Sequence, residues 1–169
     1  LAEIAAQRGA NVTLVAGNTE KLPVPSGAKV RNVVSTAELQ AAMEEEARDA
    51  DVVIMAAAVA DYRPAHIAES KMKKGQADAE LSSIQLVENP DVLKGIVAKR
   101  DAGELNPNAV VVGFAAETGD ATHSALDFAK EKFLKKGCDL LMANEVGEGK
   151  VFGQSDSCLL YTSPSPRDA

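Results

Sequence analysis

The stretch that most constrains the fold of this chain runs from Val52 to Pro64 and reads VVIMAAAVADYRP. It begins with β-branched and small apolar residues and ends in the polar side chains of Asp61, Tyr62 and Arg63. A continuous apolar run of this kind is typical of a strand that is buried on both faces of a parallel sheet. Ligands of open α/β sheets bind beyond the carboxyl ends of such strands, so we expect Asp61 at the edge of a binding crevice.

The composition is that of an ordinary globular domain. The chain has 169 residues, of which 46% are hydrophobic and 25% charged, and this length suits one domain. The formal net charge of −7 gives no general attraction to nucleic acid or to an anionic membrane, so neither is expected as a partner and any phosphate site must be local. No apolar run approaches the roughly 18 residues of a membrane helix. We therefore expect a soluble, cytoplasmic protein.

Both ends of the sequence predict an incomplete domain. The opening LAEIAAQRGA has no initiating Met and is typical of the last turns of an amphipathic helix closed by Gly9. Residues 158–168 read CLLYTSPSPRD and resemble translated adapter sequence from gene libraries. We expect residues 1–157 to be a partial domain and residues 158–169 a non-native tail. Cys138 would then have no disulfide partner, which fits a reducing compartment.

Predicted strands and helices alternate along the rest of the chain. Further strands are predicted at 11–16, 29–34, 109–116 and 139–143, with helices at 37–49, from 89–91 onward and at 122–136. Ser35 or Thr36 is expected to cap the first of these helices, and the run Glu44 to Glu46 to form a solvated face. This alternation predicts an α/β fold with a Rossmann-like, doubly wound, mostly parallel sheet, whose first strand would precede the chain.

Three predicted strands end in polar residues. These are Asp61, Glu117 with Thr118, and Asn144. Because the carboxyl ends of parallel strands lie at one edge of a sheet, we expect these side chains to converge on one crevice.

A segment at 65–75 does not fit a simple crossover and is predicted to be an inserted flap or hairpin beside the site. Its cluster of Lys71, Lys73 and Lys74 could follow the charge of a triphosphate, although lysine clusters are more often solvated. For Lys132, Lys135 and Lys136 on the later helix, a solvated face is also the favoured interpretation.

The sequence gives only weak indications of a metal site or of a known phosphate-binding motif. Asp61 could orient a ribose hydroxyl, hold Mg²⁺ or cap a neighbouring turn. His66 and His123 lack metal-ligand spacing, so no metal-binding residue is assigned. The position at which a P-loop before Gly149 requires glycine holds Asn144, and the glycines at 147, 149 and 153 do not match a dinucleotide fingerprint.

Six motifs in one order are more specific than any of these features. They are AAAVADYRP at 56–64, SKMKK at 70–74, ENPDVL at 88–93, VVGFAAET at 111–118, GCDLLMANEV at 137–146 and FGQSD at 152–156. In this order they resemble the phosphopantothenoylcysteine synthetase (phosphopantothenate–cysteine ligase) domain of the bacterial bifunctional coenzyme A biosynthesis proteins called Dfp or CoaBC.

The resemblance implies a two-step ligation by a homodimer. CTP, with Mg²⁺, activates the carboxylate of phosphopantothenate as an acyl-cytidylate, and the amine of L-cysteine then displaces CMP to form the amide. FMN belongs to the decarboxylase domain of such proteins, which is not in this sequence.

The resemblance also implies roles for individual residues. Lys71 and Asn144 are the candidate catalytic residues, Lys71 as a flap lysine on the CTP phosphates and Asn144 as the strand-end asparagine. The implied CTP-binding residues are Ala56, Ala57 and Ala58 through their backbone, Asp61, Lys71, the helix start at Pro90, Asp91, Val92 and Leu93, Phe114 beside the base, and Lys132 and Lys136.

The sequence also departs from the family pattern. The family's first strand, its glycine-rich turn and the loop after it are absent, and that loop supplies phosphopantothenate-binding and catalytic groups. We therefore expect the polypeptide as printed to be inactive, with exposed sheet edges that favour association. Two alternatives stay open: an NAD(P)-dependent oxidoreductase on a similar sheet, and a non-catalytic nucleotide-binding module.

Overall fold

The computed structural model describes residues 1–19, 21–67, 83–119, 122–146 and 160–161. Within these ranges the helices and strands are, in chain order, α1 (Ala2–Gln7), β1 (Val12–Gly17), β2 (Ala28–Val33), α2 (Thr36–Glu46), β3 (Val52–Met55), β4 (Tyr62–Pro64), β5 (Leu86–Glu88), α3 (Val92–Asp101), β6 (Val110–Glu117), α4 (Ala125–Lys136), β7 (Leu140–Glu145) and β8 (Leu160–Tyr161). No helix in these ranges is long and apolar enough to cross a membrane.

The largest sheet is mostly parallel. Strands β3, β6 and β7 lie side by side in parallel, and β8 pairs with β7 in the antiparallel direction. Strands β1 and β2 form a separate parallel pair, and β4 and β5 form an antiparallel ribbon. Among the residues described, no ladder of hydrogen bonds joins the β1–β2 pair to the largest sheet. Parallel strands with helices between them confirm the predicted Rossmann-like α/β class.

Strand β3 is shorter and more exposed than predicted. It ends at Met55, and the chain up to Ala60 has no regular structure. Val53 is buried, whereas Val52 is 53% and Ile54 45% exposed. The prediction of a strand buried on both faces is therefore wrong, because the part of the chain that the structure describes covers only the face to which Val53 points.

Helices cover one face of the β3–β6–β7 sheet. Val111 of β6 and Leu141 of β7 pack with Ile96 of α3 in the main hydrophobic core. Side chains alternate along a strand, so Phe114 and Ala116 of β6 point to the opposite face. The sheet therefore has a helix-covered face and a second, more open face, and the site has residues on both.

A glycine lets α3 approach the sheet closely. A Cβ atom added to Gly113 would lie 2.7 Å from Cδ2 of Leu93 and 2.9 Å from Cδ1 of Leu141. These distances are shorter than real Cβ contacts, so a larger residue at this position would force the Leu93 and Leu141 side chains to repack. Glycine at this position thus leaves room for these two side chains in the core between α3 and the sheet.

Helix α2 begins as predicted, but its acidic run does not simply face solvent. The Ser35 hydroxyl accepts a hydrogen bond from the Glu38 amide, so Ser35 is the N-cap. The three glutamates pair with cations from other elements: Glu44 with Lys99 at 3.1 Å, Glu45 with Arg31 at 2.7 Å and Glu46 with Arg31 at 3.3 Å. The predicted solvated face is confirmed for Glu45, which is 63% exposed, whereas Glu44 and Glu46 are only 28% and 24% exposed, because their ion pairs tie α2 to α3 and β2.

Helix α4 begins three residues later than predicted, at Ala125. Ser124 and Asp127 form a reciprocal capping box, which fixes the first turn at this point. The helix ends at Gly137, whose φ of 68° is the left-handed conformation that glycine adopts most easily. The end of the helix is as predicted.

The ribbon of β4 and β5 brackets the predicted flap. Tyr62 pairs with Glu88 and Pro64 with Leu86, so the two strands hold the ends of the segment between them side by side. The flap predicted at 65–75 lies between these strands, but residues 68–82, which include Lys71, Lys73 and Lys74, are outside the described residues.

Two predictions concern the cysteines and the C-terminal tail. Cys138 is a free, buried cysteine, and burial raises the pKa of its thiol. Cys158 lies outside the described residues. Leu160 and Tyr161 pair with β7, and the non-native origin of residues 158–169 stays a prediction.

Candidate functional site

Asn89 joins the end of the AAAVAD segment to the start of α3. Its backbone N–H donates to the Asp61 carbonyl at 2.7 Å, and its Nδ2 donates to the Ala60 carbonyl at 2.8 Å. The Arg63 guanidinium donates to Asn89 Oδ1 and to the Glu88 carbonyl, both at 3.0 Å. The structure therefore brings Asp61 beside the N-terminus of α3. The sequence analysis assigned no site role to Asn89. Its position directly before Pro90, at the start of a predicted helix, could have suggested one.

Asp91 is the N-cap of α3 and also binds a lysine. One carboxylate oxygen accepts the backbone N–H of Lys94 at 3.1 Å, and the other accepts from Lys136 Nζ at 2.5 Å. Partial burial on its own would raise the pKa of Asp91, but the hydrogen bonds from Lys136 and from the Lys94 amide outweigh it. The pKa of Asp91 is therefore below its ordinary value, and the carboxylate is ionised at neutral pH.

Lys132 forms the second ion pair of the site, with Glu117 at the end of β6. The Glu117 side chain is 17% exposed and that of Lys132 is 40% exposed. The ammonium group lies within ion-pair distance of Oε1, but no hydrogen bond of acceptable geometry satisfies this buried oxygen. The positive charge of Lys132 balances the charge of the Glu117 carboxylate, but the Oε1 atom still lacks a hydrogen bond.

Lys132 and Lys136 are one turn apart on α4 and therefore lie on the same face of the helix. Both are paired with carboxylates, one at the end of β6 and one at the start of α3. The favoured interpretation as a solvated face is confirmed for Lys135, which is exposed, but Lys132 and Lys136 are 40% and 26% exposed and are also held in ion pairs. Two ammonium groups lie where β6, α3 and α4 meet.

Phe114 and Asn144 lie on the other face of the sheet from this lysine pair. Phe114 is the Cα partner of Met142, and Ala116 is the Cα partner of Asn144. The alternation of side chains places Phe114, Ala116 and Asn144 on one face. Asn144 Oδ1 is buried and has no hydrogen-bond partner among the described residues.

The remaining predicted site residues divide into three groups. Ala56, Ala57 and Ala58 are exposed and lie between β3 and Asp61. Val92 and Leu93 are 4% and 6% exposed, so their side chains belong to the core and only their backbone N–H groups could meet a ligand. Lys71 lies outside the described residues. The structure therefore brings together Asp61, the start of α3, Lys132 and Lys136, with Phe114 and Asn144 on the opposite face.

The donor set is compatible with a magnesium ion that binds together with a phosphate ligand. No group of three His, Cys, Asp or Glu residues that could hold a metal occurs in the described ranges. Mg²⁺ usually keeps several waters and takes one or two carboxylates together with substrate phosphates. The exposed carboxylate of Asp61 fits that role, and it would hold the ion only with a phosphate ligand present.

Comparison with known families and proteins identifies the relatives of this chain. The family model described as "DNA/pantothenate metabolism flavoprotein C-terminal domain" matches residues 1–167. The chain is 51% identical over 152 residues to the coenzyme A biosynthesis bifunctional protein CoaBC of Mycolicibacterium smegmatis, which covers 90% of this chain and 36% of that protein. It is 37% identical over 161 residues to CoaBC of Escherichia coli K12, which covers 95% of this chain and 37% of that protein.

Solved structures agree with this result. The C-terminal domain of a coenzyme A biosynthesis bifunctional protein CoaBC superposes with a TM-score of 0.65 at 28% identity, over 96% of this chain and 69% of that one. A DNA/pantothenate metabolism flavoprotein from Streptococcus pneumoniae has a TM-score of 0.64 at 19% identity, over 92% of this chain and 76% of that one, and supports the fold alone.

The chain spans little more than a third of the length of the curated relatives it matches. The resemblance inferred from the six motifs is confirmed by the family match over nearly all of the sequence and by the identity to the CoaBC proteins. The chain therefore belongs to the DNA/pantothenate metabolism flavoprotein C-terminal domain family.

Proposed function

We propose that a protein containing this domain joins phosphopantothenate to L-cysteine in coenzyme A biosynthesis, with CTP as the activating nucleotide. The observation that supports this most is the pair of lysines on α4, which are held by Glu117 and Asp91 beside the N-terminus of α3. The names of the relatives supply the biosynthetic context, and the chemistry below supplies the fit to an anionic nucleotide.

The two ion pairs are suited to an exchangeable anion site. Lys132 and Lys136 are each balanced by one carboxylate, so their positions are set before a ligand binds. A triphosphate has more negative charge than either carboxylate and would compete for the two ammonium groups. Both pairs are partly exposed to solvent, so exchanging a carboxylate for a phosphate costs little compared with breaking a fully buried pair.

The start of α3 adds backbone donors to this site. The first N–H groups of a helix have no acceptor within the helix, and the Asp91 side chain satisfies that of Lys94. The amides of Val92 and Leu93 are then the next donors at a helix end that favours negative charge. Because the side chains of both residues are buried in the core, the position of these amides is fixed relative to the sheet.

The reaction needs positioning and charge stabilisation more than a protein nucleophile. Activation of the phosphopantothenate carboxylate by CTP forms the acyl-cytidylate and releases pyrophosphate, so negative charge develops on phosphate oxygens that Lys132, Lys136 and the predicted flap residue Lys71 would stabilise. Mg²⁺ beside Asp61 would supply further neutralisation of the triphosphate. Attack by the cysteine amine then releases CMP, which requires the amine to be held near the activated carbonyl.

The first test separates nucleotide classes. The purified 169-residue chain is titrated calorimetrically with CTP, ATP and NADPH in the presence of Mg²⁺. We expect heat from CTP, and we expect Lys132→Met and Lys136→Met each to weaken CTP binding by about tenfold, because a charge-assisted contact is lost. Lys99→Met is the matched control, since Lys99 pairs with Glu44 away from the site. Binding of NADPH in preference to CTP would favour the oxidoreductase alternative.

The second test measures turnover in a complete protein. The aligned 152 residues of the Mycolicibacterium smegmatis relative are replaced by the matching part of this chain, and pyrophosphate release is measured with CTP, with and without phosphopantothenate and cysteine. We expect release that depends on phosphopantothenate and prefers CTP to ATP. A folded graft that binds CTP but shows no such release would leave the non-catalytic binding module as the better description. The elution volume of the same protein also tests the proposed homodimer.

A further inference from the structure

Asn89 closes a clamp between two parts of the chain that are distant in sequence. Its Nδ2 donates to the Ala60 carbonyl at 2.8 Å, and its backbone N–H donates to the Asp61 carbonyl at 2.7 Å. The Arg63 guanidinium donates to Oδ1 at 3.0 Å, so both ends of the side-chain amide are occupied and its orientation is set. The next residue is Pro90, which restricts the backbone of Asn89 to extended conformations.

The same clamp occurs at the other end of strand β3. Asn106 also precedes a proline, and its backbone N–H donates to the Arg48 carbonyl at 3.0 Å and its Nδ2 to the Ala50 carbonyl at 3.2 Å. Arg48 and Ala50 lie just before β3, whereas Ala60 and Asp61 follow it. Asparagine–proline pairs therefore hold the chain on both sides of β3, and the pair on the carboxyl side adjoins the candidate site.

The clamp at Asn89 connects an exposed segment to a fixed point. Residues 56–60 have no regular structure, and Asp61 is exposed. The start of α3 is fixed, because its first two residues are buried in the core. Asn89 is two residues before the N-cap Asp91, whose carboxylate accepts from Lys136. The hydrogen bonds of Asn89 therefore set where Asp61 lies relative to the helix start and to the ammonium group of Lys136.

We infer that Asn89 is a positioning residue for the metal-dependent part of nucleotide binding: it holds Asp61 where its carboxylate can bind Mg²⁺ together with a phosphate chain at the start of α3. The inference rests on the proposed use of CTP with Mg²⁺ and adds the residue that couples the metal to the nucleotide. Asn89 acts through Asp61 and not on the ligand, since both ends of its own amide are occupied within the protein.

The carboxylate and the lysines of the site differ in how much displacement they tolerate. Mg²⁺ demands near-ideal octahedral coordination, so a carboxylate that moves from its position loses the ion. A lysine ammonium is a point charge on a flexible chain and can follow a phosphate oxygen. Loss of the clamp should therefore weaken the contribution of Mg²⁺ to CTP binding and leave the metal-free binding that the lysines provide.

The experiment measures the magnesium effect, defined as the ratio of the CTP dissociation constant in EDTA to that in saturating Mg²⁺. Calorimetric titrations of the full 169-residue chain give this ratio for the unsubstituted chain, Asn89→Ala and Asn89→Asp. We expect Asn89→Ala to lower the magnesium effect about fivefold, the scale of one lost hydrogen bond, and to leave the dissociation constant in EDTA unchanged. Asn89→Asp keeps the acceptor for Arg63 but loses the donor to Ala60, so the magnesium effect should fall here too.

A double-substitution cycle with Asp61→Asn distinguishes positioning from a purely structural role. Because Asn89 acts through the Asp61 carboxylate, Asn89→Ala should not lower the magnesium effect further once Asp61→Asn is present. If Asn89→Ala does not fold, Asn89→Asp decides by the same cycle. Asn106→Ala is the matched control, since it removes the equivalent hydrogen bond to the Ala50 carbonyl. It should lower the free energy of unfolding in urea and leave the magnesium effect unchanged.

The outcomes separate this inference from the proposed function. If the chain binds CTP and Asn89→Ala leaves the magnesium effect unchanged, or lowers it equally with and without Asp61→Asn, then Asn89 does not position Asp61 and the proposed function stands. A loss of CTP affinity by the same factor in EDTA and in Mg²⁺ would show a purely structural role and also overturns the inference. If the unsubstituted chain binds no CTP, both proposals are overturned.

Discussion

Asp91 performs two tasks with one carboxylate, and they can be separated by substitution. Asp91→Asn keeps a good N-cap for α3 but removes the charge that Lys136 contacts. We expect a loss of at most about 1 kcal/mol of unfolding free energy at pH 7, because the Lys136 and Asp91 side chains are 26% and 38% exposed and water screens the pair. Asp91→Ala should cost about 1 kcal/mol more, since the cap is lost as well.

The pH dependence of this effect has a definite sign. The folded-state pKa of Asp91 lies below the ordinary value of 3.8, so its contribution to stability is fully present well above that pH and is lost as the pH falls through the folded-state pKa. The free energies of urea unfolding of the wild-type chain and of Asp91→Asn should therefore differ at pH 7, and this difference should begin to shrink as the pH falls below about 3.8. A difference that stayed constant down to pH 2.5 would show that Lys136 does not stabilise the ionised form.

Some features of the site could be predicted from the sequence because they are local. The Ser35 cap and the helix end at Gly137 each depend on a few adjacent residues, and both were predicted from those residues alone. The partners of Lys132 and Lys136 could not be predicted in this way. Glu117 is 15 residues from Lys132 in the sequence and Asp91 is 45 residues from Lys136, so only the packing of β6, α3 and α4 brings these charges together.

At the scale of elements, one arginine joins the end of α3 to β6 and β7. Arg100 donates to the Ala109 carbonyl at 3.1 Å and to Asp139, whose Oδ2 also accepts the Val111 amide at 2.7 Å. The Arg100 side chain is only 12% exposed. The Asp139 side chain is 41% exposed, so water screens part of this pair, and Asp139→Asn should lower the unfolding free energy by about 1 kcal/mol because a largely buried guanidinium loses its charged acceptor.

A second carboxylate that contacts Arg100 provides the control substitution. Asp101 also contacts Arg100, at 3.0 Å, but its side chain is 63% exposed. Asp101→Asn should cost less than about 0.5 kcal/mol in the same urea titration. Equal losses for the two substitutions would mean that burial does not govern the strength of these pairs.

The burial of a strand was harder to predict than its existence. Each of the strands predicted at 11–16, 29–34, 109–116 and 139–143 is present within a residue or two. The run at 52–60 was predicted to be one buried strand, yet only Val52–Met55 pairs with β6. An apolar run indicates that the side chains on both faces of a strand could be buried. Which face is actually covered depends on helices that are distant in the sequence.

At the scale of the whole molecule, β3 lies at an edge of the largest sheet within the described residues. Val52 and Ile54 are 53% and 45% exposed on its open face, and the neighbouring Val110 of β6 is 39% exposed. An apolar edge strand is a template for pairing with another chain. We expect the 169-residue chain to associate in a concentration-dependent manner, and Val52→Lys to reduce that association because a charge on an edge strand opposes pairing.

Light scattering of size-exclusion fractions over a range of protein concentrations tests this expectation. Val34→Lys is the matched control, because Val34 is 81% exposed but lies just after β2 rather than in the open edge. Association that Val52→Lys reduces and Val34→Lys does not would assign it to the edge of β3. If both substitutions leave the apparent mass unchanged at every concentration, the open face of β3 and β6 is not the contact surface, and the exposed ribbon of β4 and β5 becomes the next surface to test. The first result would place the contact at the edge of β3, and the second would exclude that edge; the two surfaces lie on strands of different sheets, so they can be substituted independently.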